Sequence, residues 1–140
     1  MIRNNARAIA IKNGNILLVK NIKKNFYFLP GGGLEFGETL QDAVKREFEE
    51  EANLTNLNVK SVIGIFENIF IDDQKYHTIE NLVEVEILDE NVVSVEDHIS
   101  FEWVPIEQIT EIKYYPTLLG VKILDWYKNH EFILGIRKEF

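Results

Sequence analysis

Three glutamates near the middle of the chain have the type and spacing needed to bind a divalent cation. Glu47, Glu50 and Glu51 recur at i, i+3 and i+4, so on a helix of about 3.6 residues per turn they share an arc of roughly 100°. Carboxylates that converge on a partly desolvated site repel one another and are driven toward protonation unless a cation neutralises them. An all-oxygen ligand set suits Mg²⁺ or Mn²⁺. The pattern therefore predicts a site for one of these ions.

The helix that carries these acids is predicted from Thr39 to Ala52. Thr39 is a favourable N-cap, and Asp42 in the first turn complements the helix dipole. The arc of the three acids continues an apolar stripe on the first half of the helix, formed by Leu40, Ala43 and Val44. Glu49 lies off this arc and is expected to face solvent. The alternative is an ordinary charged helix end, but the dipole disfavours acids in the C-terminal half.

A glycine-rich loop, Gly31 to Gly33, comes shortly before this helix. Glycine lets the backbone adopt positive φ and approach a ligand closely. An ordinary tight turn is the alternative interpretation of the same three residues. If the loop serves the site, Gly32 and Gly33 are candidates for binding substrate through their backbone.

The other segments alternate between strand and helix patterns. Strand patterns cover residues 6–11, 16–20, 26–29, 59–70, 76–88 and 101–104. Asn13-Gly14 is typical of a type I′ hairpin, and the two long strands are expected to pair with each other. Pro116 begins a second amphipathic helix that extends to about residue 129. This order predicts one α/β domain over residues 1–140.

Composition narrows the possible functions. The chain has a net charge of −8, which argues against a general nucleic-acid-binding surface. A small phosphorylated ligand remains compatible, because a bound cation supplies the attraction that the protein lacks. Cysteine is absent, which excludes disulfides and thiolate sites. No apolar run approaches membrane-spanning length and no signal peptide precedes the first strand, so we expect a cytoplasmic protein.

The segment from Gly31 to Leu54, GGGLEFGETLQDAVKREFEEEANL, resembles the Nudix box, the signature of the Nudix hydrolases. The family pattern is Gly, five residues, Glu, seven residues, then Arg-Glu-apolar-any-Glu-Glu-any-Gly-apolar. The matching positions are Gly32, Glu38, Arg46, Glu47, Phe48, Glu50, Glu51 and Leu54. Asn53 stands where the family has Gly, and Asn is the next most tolerant residue for the left-handed end of a helix.

The resemblance implies a fold and a set of roles. The fold is the Nudix fold, a mixed β-sheet sandwiched between α-helices. Glu47, Glu50 and Glu51 are implied to bind the metal, together with the backbone carbonyl of Gly31. Arg46 is expected to orient the first catalytic glutamate. Glu38 is expected to support the loop and the helix.

Further residues are candidates for proton transfer and substrate binding. Many family members use an additional acid from a later loop, and Glu96 is our candidate for it, followed by Asp97 and then Glu102. A solvated acidic loop is the alternative for each of them. Arg7 is a candidate for holding a phosphate, with a solvated surface position as the alternative. Tyr27 is a candidate for stacking on a base, with a core position as the alternative.

The resemblance predicts Mg²⁺-dependent hydrolysis of a diphosphate bond in a nucleoside diphosphate linked to another moiety. Glu47, Glu50 and Glu96 all qualify as the general base. ADP-ribose enzymes often carry a Pro about fifteen residues beyond the box. Here that region is Ile69-Phe70, and a Tyr diagnostic of dinucleoside polyphosphate enzymes is also missing. We therefore favour nucleoside triphosphates or nucleotide-sugar-like compounds as substrates.

Two alternatives from other classes remain at this stage. One is a non-catalytic Nudix-like module that binds or senses a nucleotide, although such modules often lose box acids and all three are intact here. The other is an interaction domain with a fortuitous acidic helix. The C-terminal segment 132–140 is expected to be either a docked tail or part of a homodimer contact.

Overall fold

Nine strands and two α-helices make up the computed structural model, which describes residues 1–140. In chain order the elements are β1 (Ile2–Ile9), β2 (Ile11–Lys12), β3 (Asn15–Asn21), β4 (Phe26–Phe28), β5 (Gly31–Gly33), α1 (Leu40–Ala52), β6 (Leu57–Ile71), β7 (Lys75–Ile87), β8 (Ile99–Pro105), α2 (Thr117–Asn129) and β9 (Ile133–Lys138). A single 3₁₀ turn follows β8. Neither helix is long and apolar enough to cross a membrane.

The strands form two sheets. The larger sheet has the order β5-β1-β7-β6-β9 and is mixed, because β1 pairs with β7 and β6 with β9 in parallel, whereas the other pairs are antiparallel. The smaller sheet has the order β2-β3-β4, and β8 pairs with β3. One apolar core packs α1 against the larger sheet, and a second core contains the buried residues of α2. The predicted α/β architecture with a mixed sheet between helices is confirmed.

Two hairpins follow the sequence signals closely. Asn13 and Gly14 both have positive φ, 52° and 76°, as a type I′ turn requires. The strands β6 and β7 pair along their whole length, from Leu57 opposite Ile87 to Ile71 opposite Lys75. The register shifts between Val59 and Gly64, so the glycine marks an irregularity in a continuous strand.

Two strands were not expected. Residues Gly31–Gly33 form β5 and pair with β1. Gly31 has a φ of 129°, and a Cβ at this position would lie 2.0 Å from the carbonyl oxygen of Ala6. This close pairing with β1 is therefore possible because residue 31 has no side chain. The C-terminal segment is strand β9, which extends the sheet beyond β6. The interpretation of this segment as a docked tail is therefore confirmed. Its role in a dimer contact stays a prediction.

Candidate active site

Helix α1 begins and ends at the residues expected from its capping pattern. Thr39 Oγ1 accepts a hydrogen bond from the backbone N–H of Asp42 at 3.0 Å, and Asp42 Oδ2 accepts one from the N–H of Thr39 at 3.1 Å. At the other end Asn53 has left-handed geometry, with φ 49° and ψ 32°. The two caps fix the helix register, so they determine which acids face the sheet.

The acids of this helix differ in exposure. Ala43, Val44 and Phe48 are buried against the larger sheet. The side chain of Glu47 is only 14% exposed and Glu51 is half-buried. Glu49 is exposed, as expected for a residue off the arc.

Glu47 and Glu51 form the centre of the candidate site. The pKa of Glu51 is raised to about 8, chiefly by burial and then by a hydrogen bond with Glu47 and the negative charge of Glu47. The raised pKa favours the protonated form of Glu51 at neutral pH when no cation is present. The carboxylate of Glu47 also lies against the glycine loop, since a Cβ on Gly32 would be 2.7 Å from Glu47 Oε1. A side chain at position 32 would therefore displace the Glu47 carboxylate from this position.

Arg46 connects the glycine strand to the acidic helix. Its Nε donates to Glu38 Oε2 at 2.7 Å, and its Nη2 donates to Glu38 Oε1 and to the carbonyl of Gly33, both at 3.0 Å. Its Nη1 donates to Glu47 Oε1 at 3.0 Å. These bonds lower the pKa of the Glu38 carboxyl group and raise the pKa of Arg46. Arg46 thus contacts Glu47, the residue that it is expected to orient, and Glu38 contacts Arg46; the catalytic roles of these residues stay predictions.

Glu50 does not converge with the other two acids. Its side chain is 59% exposed, and its Oε2 lies 3.3 Å from Nη1 of Arg46 one turn earlier. No three Asp, Glu or His side chains are arranged to hold a metal ion in this structure. Repulsion among neighbouring carboxylates and the attraction of Arg46 account for the position of Glu50.

The loop before β8 brings a further acid to the end of α1. The backbone N–H of Val95 donates to the carbonyl of Glu51 at 2.9 Å, and the negative charge of Glu96 helps to raise the pKa of Glu51. Glu96 Oε2 lies 3.2 Å from Nε2 of His98. Asp97, the second candidate, is exposed. The structure therefore places Glu96 beside the acidic helix.

Glu102, the third candidate, lies on β8 and accepts a hydrogen bond from Tyr27 Oη at 3.3 Å. Tyr27 is half-buried, and Lys20 Nζ lies 5.6 Å from the centre of its ring. Its backbone also pairs with the segment around Tyr114. Tyr27 thus helps to join β4 to the segment before α2.

Arg7 occupies a half-buried position rather than a solvated one. Its Nε donates to Glu80 Oε2 at 3.0 Å, and its Nη1 donates to the carbonyls of Gly31 at 3.0 Å and Leu29 at 3.2 Å. Glu80 is 8% exposed and also accepts hydrogen bonds from Asn5 Nδ2 and the Thr78 hydroxyl, each at 3.0 Å. Arg7 therefore ties the glycine strand to the centre of the larger sheet.

Sequence reasoning missed Glu80 and Asn5. On the strand pattern of residues 76–88, Glu80 shares its side with Leu82 as well as with Thr78, Glu84 and Glu86, so alternation alone does not assign that side to the core or to solvent. The structure shows that Glu80 is buried and accepts hydrogen bonds from Arg7 and Asn5, which are more than 70 residues away in the chain. Asn5 Oδ1 is buried without a hydrogen-bond partner.

The donor chemistry of the site fits a hard divalent cation. The groups gathered at the N-terminal end of β5 and the C-terminal half of α1 are carboxylates and backbone carbonyls, which are the ligands that Mg²⁺ and Mn²⁺ prefer. A bound cation would also remove the repulsion from Glu47 that helps to raise the pKa of Glu51.

The pattern of the NUDIX domain family matches residues 1–126. The chain belongs to the Nudix family. This Nudix protein has the predicted MutT-like fold: the MutT protein of Methanosarcina mazei Go1 superposes with a TM-score of 0.74 at 20% identity, over 91% of this chain and 96% of that one. The predicted membership of the Nudix family, whose hydrolases generally use divalent metal ions, is confirmed.

Curated relatives match part of this Nudix protein. The ADP-ribose pyrophosphatase of Methanocaldococcus jannaschii is 45% identical over 58 residues, which are 39% of this chain and 34% of that protein. The RNA pyrophosphohydrolase of Acinetobacter baylyi is 39% identical over 54 residues, which are 39% of this chain and 32% of that protein. The matched segment thus spans about a third of each relative.

Proposed function

We propose that this Nudix protein hydrolyses a diphosphate bond in a nucleoside diphosphate linked to another moiety, with Mg²⁺ as its cofactor. The observation that carries the proposal is the position of Glu47, which is 14% exposed, accepts a hydrogen bond from Arg46 and lies against the backbone of Gly32, with the half-buried Glu51 one turn later. A buried acidic pair is unfavourable without a compensating charge. Its retention next to a glycine strand is expected if a cation and a phosphate bind there.

The cation-binding residues follow from the same contacts. Glu47, Glu51 and the carbonyl of Gly31 would hold the ion, and Glu50 would join them by releasing Arg46. When bound, Mg²⁺ or Mn²⁺ would neutralise charge on the phosphate oxygens and lower the pKa of the attacking water. The exchange of the Glu51 proton for a metal ion makes binding tighter as the pH rises.

Proton transfer, orientation of Glu47 and binding of the phosphate would be carried out by groups of the protein. Glu96 would accept the proton of the attacking water, with Glu47 and Glu50 as the other candidates. Arg46 would keep Glu47 oriented through its hydrogen bond to Oε1. Arg7 uses Nε and Nη1 to bind Glu80 and the glycine strand, which leaves Nη2 for a phosphate oxygen. The N–H groups of Gly32 and Gly33 would contribute further donors.

The segment beyond the box bears on the substrate class. We favour nucleoside triphosphates or nucleotide-sugar-like compounds, because the region of Ile69-Phe70 has no Pro. The name of the Methanocaldococcus relative makes ADP-ribose the main competitor, and the name of the Acinetobacter relative adds RNA with a 5′-polyphosphate. A small molecule fits the net charge of −8 better than RNA does.

The test is a hydrolysis screen of the purified protein in Mg²⁺ and in EDTA. The compounds are nucleoside triphosphates, ADP-ribose, NADH, nucleotide sugars, dinucleoside polyphosphates and triphosphorylated RNA. Products are separated by chromatography, and ¹⁸O-labelled water identifies which phosphorus atom is attacked. Mg²⁺-dependent cleavage that Glu51→Gln abolishes and Glu49→Gln retains is the expected result. Absence of turnover on every compound, with no Mg²⁺-dependent rise in melting temperature, would contradict the proposal.

A second candidate function is nucleotide binding without hydrolysis. It is favoured by the position of Glu50, which is exposed and paired with Arg46 rather than with the other acids. This function predicts that a nucleotide raises the melting temperature in EDTA as much as in Mg²⁺, and that no product forms in the screen.

A further inference from the structure

A cleft of about 610 Å³ lies on the face of the larger sheet opposite α1. Four separated segments line it: the start of β4, the end of β6, the segment before α2, and β9. None of its residues belongs to the Nudix box. Its lining therefore has to be explained separately from the acidic site.

Aromatic side chains form much of the cleft. The rings of Phe26 and Tyr115 have centroids 5.6 Å apart and are tilted by 60°, and Tyr115 is 49% exposed. On the opposite side, Phe70 stacks on Tyr76 with centroids 5.0 Å apart. Partly exposed ring faces of this kind provide surfaces on which a planar heterocycle can stack.

The cleft also has an excess of positive charge. Lys24, Lys113 and Arg137 line it together with two acids, Asp72 and Glu139. The chain as a whole has a net charge of −8. A local excess of cations on a strongly acidic protein attracts an anionic ligand to that position.

A row of polar side chains connects the cleft to the glycine strand. Thr78, Asn68 and Arg137 are neighbours across β7, β6 and β9. Thr78 donates to Glu80, and Glu80 holds Arg7, which donates to the carbonyl of Gly31. Strands lie about 4.8 Å apart, so the three intervals from β1 to β9 span about 14 Å. One extended ligand of nucleotide size can therefore reach both places.

Arg137 is held in a fixed orientation within this row. Its Nη1 donates to Asn68 Oδ1 at 3.2 Å, its Nη2 is paired with the carboxylate of Glu139, and its guanidinium carbon lies 5.9 Å from the centre of the Phe70 ring. A guanidinium held in this way loses little conformational freedom when a ligand binds. Strand β9 lies outside residues 1–126, the part that matches the family.

We propose that β9 completes the substrate site and that Arg137 is a specificity-determining residue. The ligand of the cleft is a nucleotide, with its base against the aromatic side chains and its acceptor atoms facing Arg137. This inference rests on the proposed function only for the choice of a nucleotide as ligand.

Binding of nucleoside monophosphates in EDTA tests the proposal without requiring catalysis. AMP, GMP, CMP and UMP are titrated by calorimetry into the wild type, Arg137→Gln and Lys138→Gln. Lys138 is the matched control, since it is an exposed cation on the same strand and does not line the cleft. We expect at least one nucleotide to bind to the wild type. Arg137→Gln should weaken the affinity for that nucleotide about tenfold or more, and Lys138→Gln should change the affinity less than about twofold. Ribose 5-phosphate, which lacks the base, should bind more weakly than that nucleotide.

A second variant keeps the test valid if Arg137→Gln unfolds. Lys113→Gln changes an exposed side chain on the opposite wall of the cleft. It should also weaken nucleotide binding, and it should leave the melting temperature unchanged. If the protein is active, Arg137→Gln should raise KM with little change in kcat. Failure of all four nucleotides to bind, or equal affinities in Arg137→Gln and Lys138→Gln, would overturn the inference. Binding that depends on Arg137 without any hydrolysis would instead reject the proposed function alone.

Discussion

The acidic helix and the cleft differ in how their residues are distributed along the chain. The residues proposed for chemistry lie mainly between Gly31 and Leu54, on one strand and the helix that follows it. The lining of the cleft comes from positions as distant as Lys24 and Arg137. Chemistry that depends on a fixed helical spacing can be recognised in a sequence. Recognition of a ligand by distant segments depends on the register of the sheet, which short-range patterns do not contain.

A similar contrast exists within the helix. Glu47 and Glu51 are one turn apart and are withdrawn from solvent, whereas Glu50 pairs with Arg46 and remains exposed. Each of the three acids matches a glutamate of the Nudix box, but their solvent exposure and their contacts differ. The order of their effects on catalysis therefore measures how far the helix rearranges when a cation binds.

The largest expected effect is loss of turnover in Glu47→Gln and Glu51→Gln. Each change removes one carboxylate ligand of the proposed cation and should lower kcat by about 10²–10⁴-fold, the range typical of lost acid–base or metal-assisted catalysis. Steady-state kinetics in Mg²⁺ provides the measurement. Glu49→Gln is the control and should retain activity within about twofold, since Glu49 is exposed and off the arc.

Glu50→Gln tests whether the exposed Glu50 acts together with Glu47 and Glu51 in catalysis. A loss in the same range would place Glu50 on the metal or at the water, after release from Arg46. Near-normal activity would remove Glu50 from the site and leave the buried pair as the functional unit. Equal losses in all four variants, Glu49→Gln included, would contradict the division of the helix into functional and solvent-facing acids.

Gly31→Ala is expected to have the next largest effect, on stability. The new Cβ would lie 2.0 Å from the carbonyl oxygen of Ala6, and φ at this position is 129°. We expect a decrease of about 3 kcal/mol or more in the free energy of unfolding, measured by urea denaturation, because strain and a backbone clash combine.

Gly37→Ala is the matched control for this substitution. Gly37 also has positive φ, 87°, but nothing lies within 4 Å of the position that its Cβ would take. Gly37→Ala should lower the free energy of unfolding by about 1 kcal/mol, because only the left-handed conformation disfavours alanine there. Equal costs for the two variants would show that contact with β1 does not determine the path of the glycine strand.

How much of the structure can be predicted from the sequence depends on whether a feature is determined by neighbouring residues or by residues far away in the chain. Thr39, Asp42 and Asn53 define the ends of α1 through local hydrogen bonds, so the helix and its acid arc were predictable. Asn13-Gly14 defined a hairpin by the same local chemistry. Burial of Glu80 and the docking of β9 depend on partners far away in the chain, so no nearby residue indicated them.

The pH dependence of stability tests the buried pair directly. The folded pKa of Glu51, about 8, lies above its ordinary value of 4.5, so the folded state binds the proton more tightly than the unfolded state. This contribution is fully present below pH 4.5 and is lost as the pH rises toward 8. In EDTA, the wild type should therefore lose stability relative to Glu51→Gln across this window. Urea denaturation at several pH values measures the difference, and parallel curves would show that Glu51 titrates normally.

Mg²⁺ should reverse this loss. At pH 8 the ion replaces the proton of Glu51, so it should raise the melting temperature of the wild type more than at pH 5. Glu51→Gln should show little rise at either pH. A rise of equal size in both proteins would place the ion elsewhere.

The smallest expected effect concerns the one box position that departs from the family pattern. Asn53 ends α1 with φ 49°, and its N–H donates to the carbonyls of Glu49 and Phe48. Asn53→Gly should raise the free energy of unfolding by a few tenths of a kcal/mol, because glycine adopts the left-handed conformation without a steric penalty. Asn53→Ala should lower it by about 1 kcal/mol, since alanine pays that penalty and offers no compensating polar contact. Opposite signs in the two variants, with kcat unchanged in both, would show that the departure affects the helix end and leaves the acids in place. A fall in kcat in Asn53→Gly would mean that the helix end also sets the position of Glu51, two residues earlier in the chain.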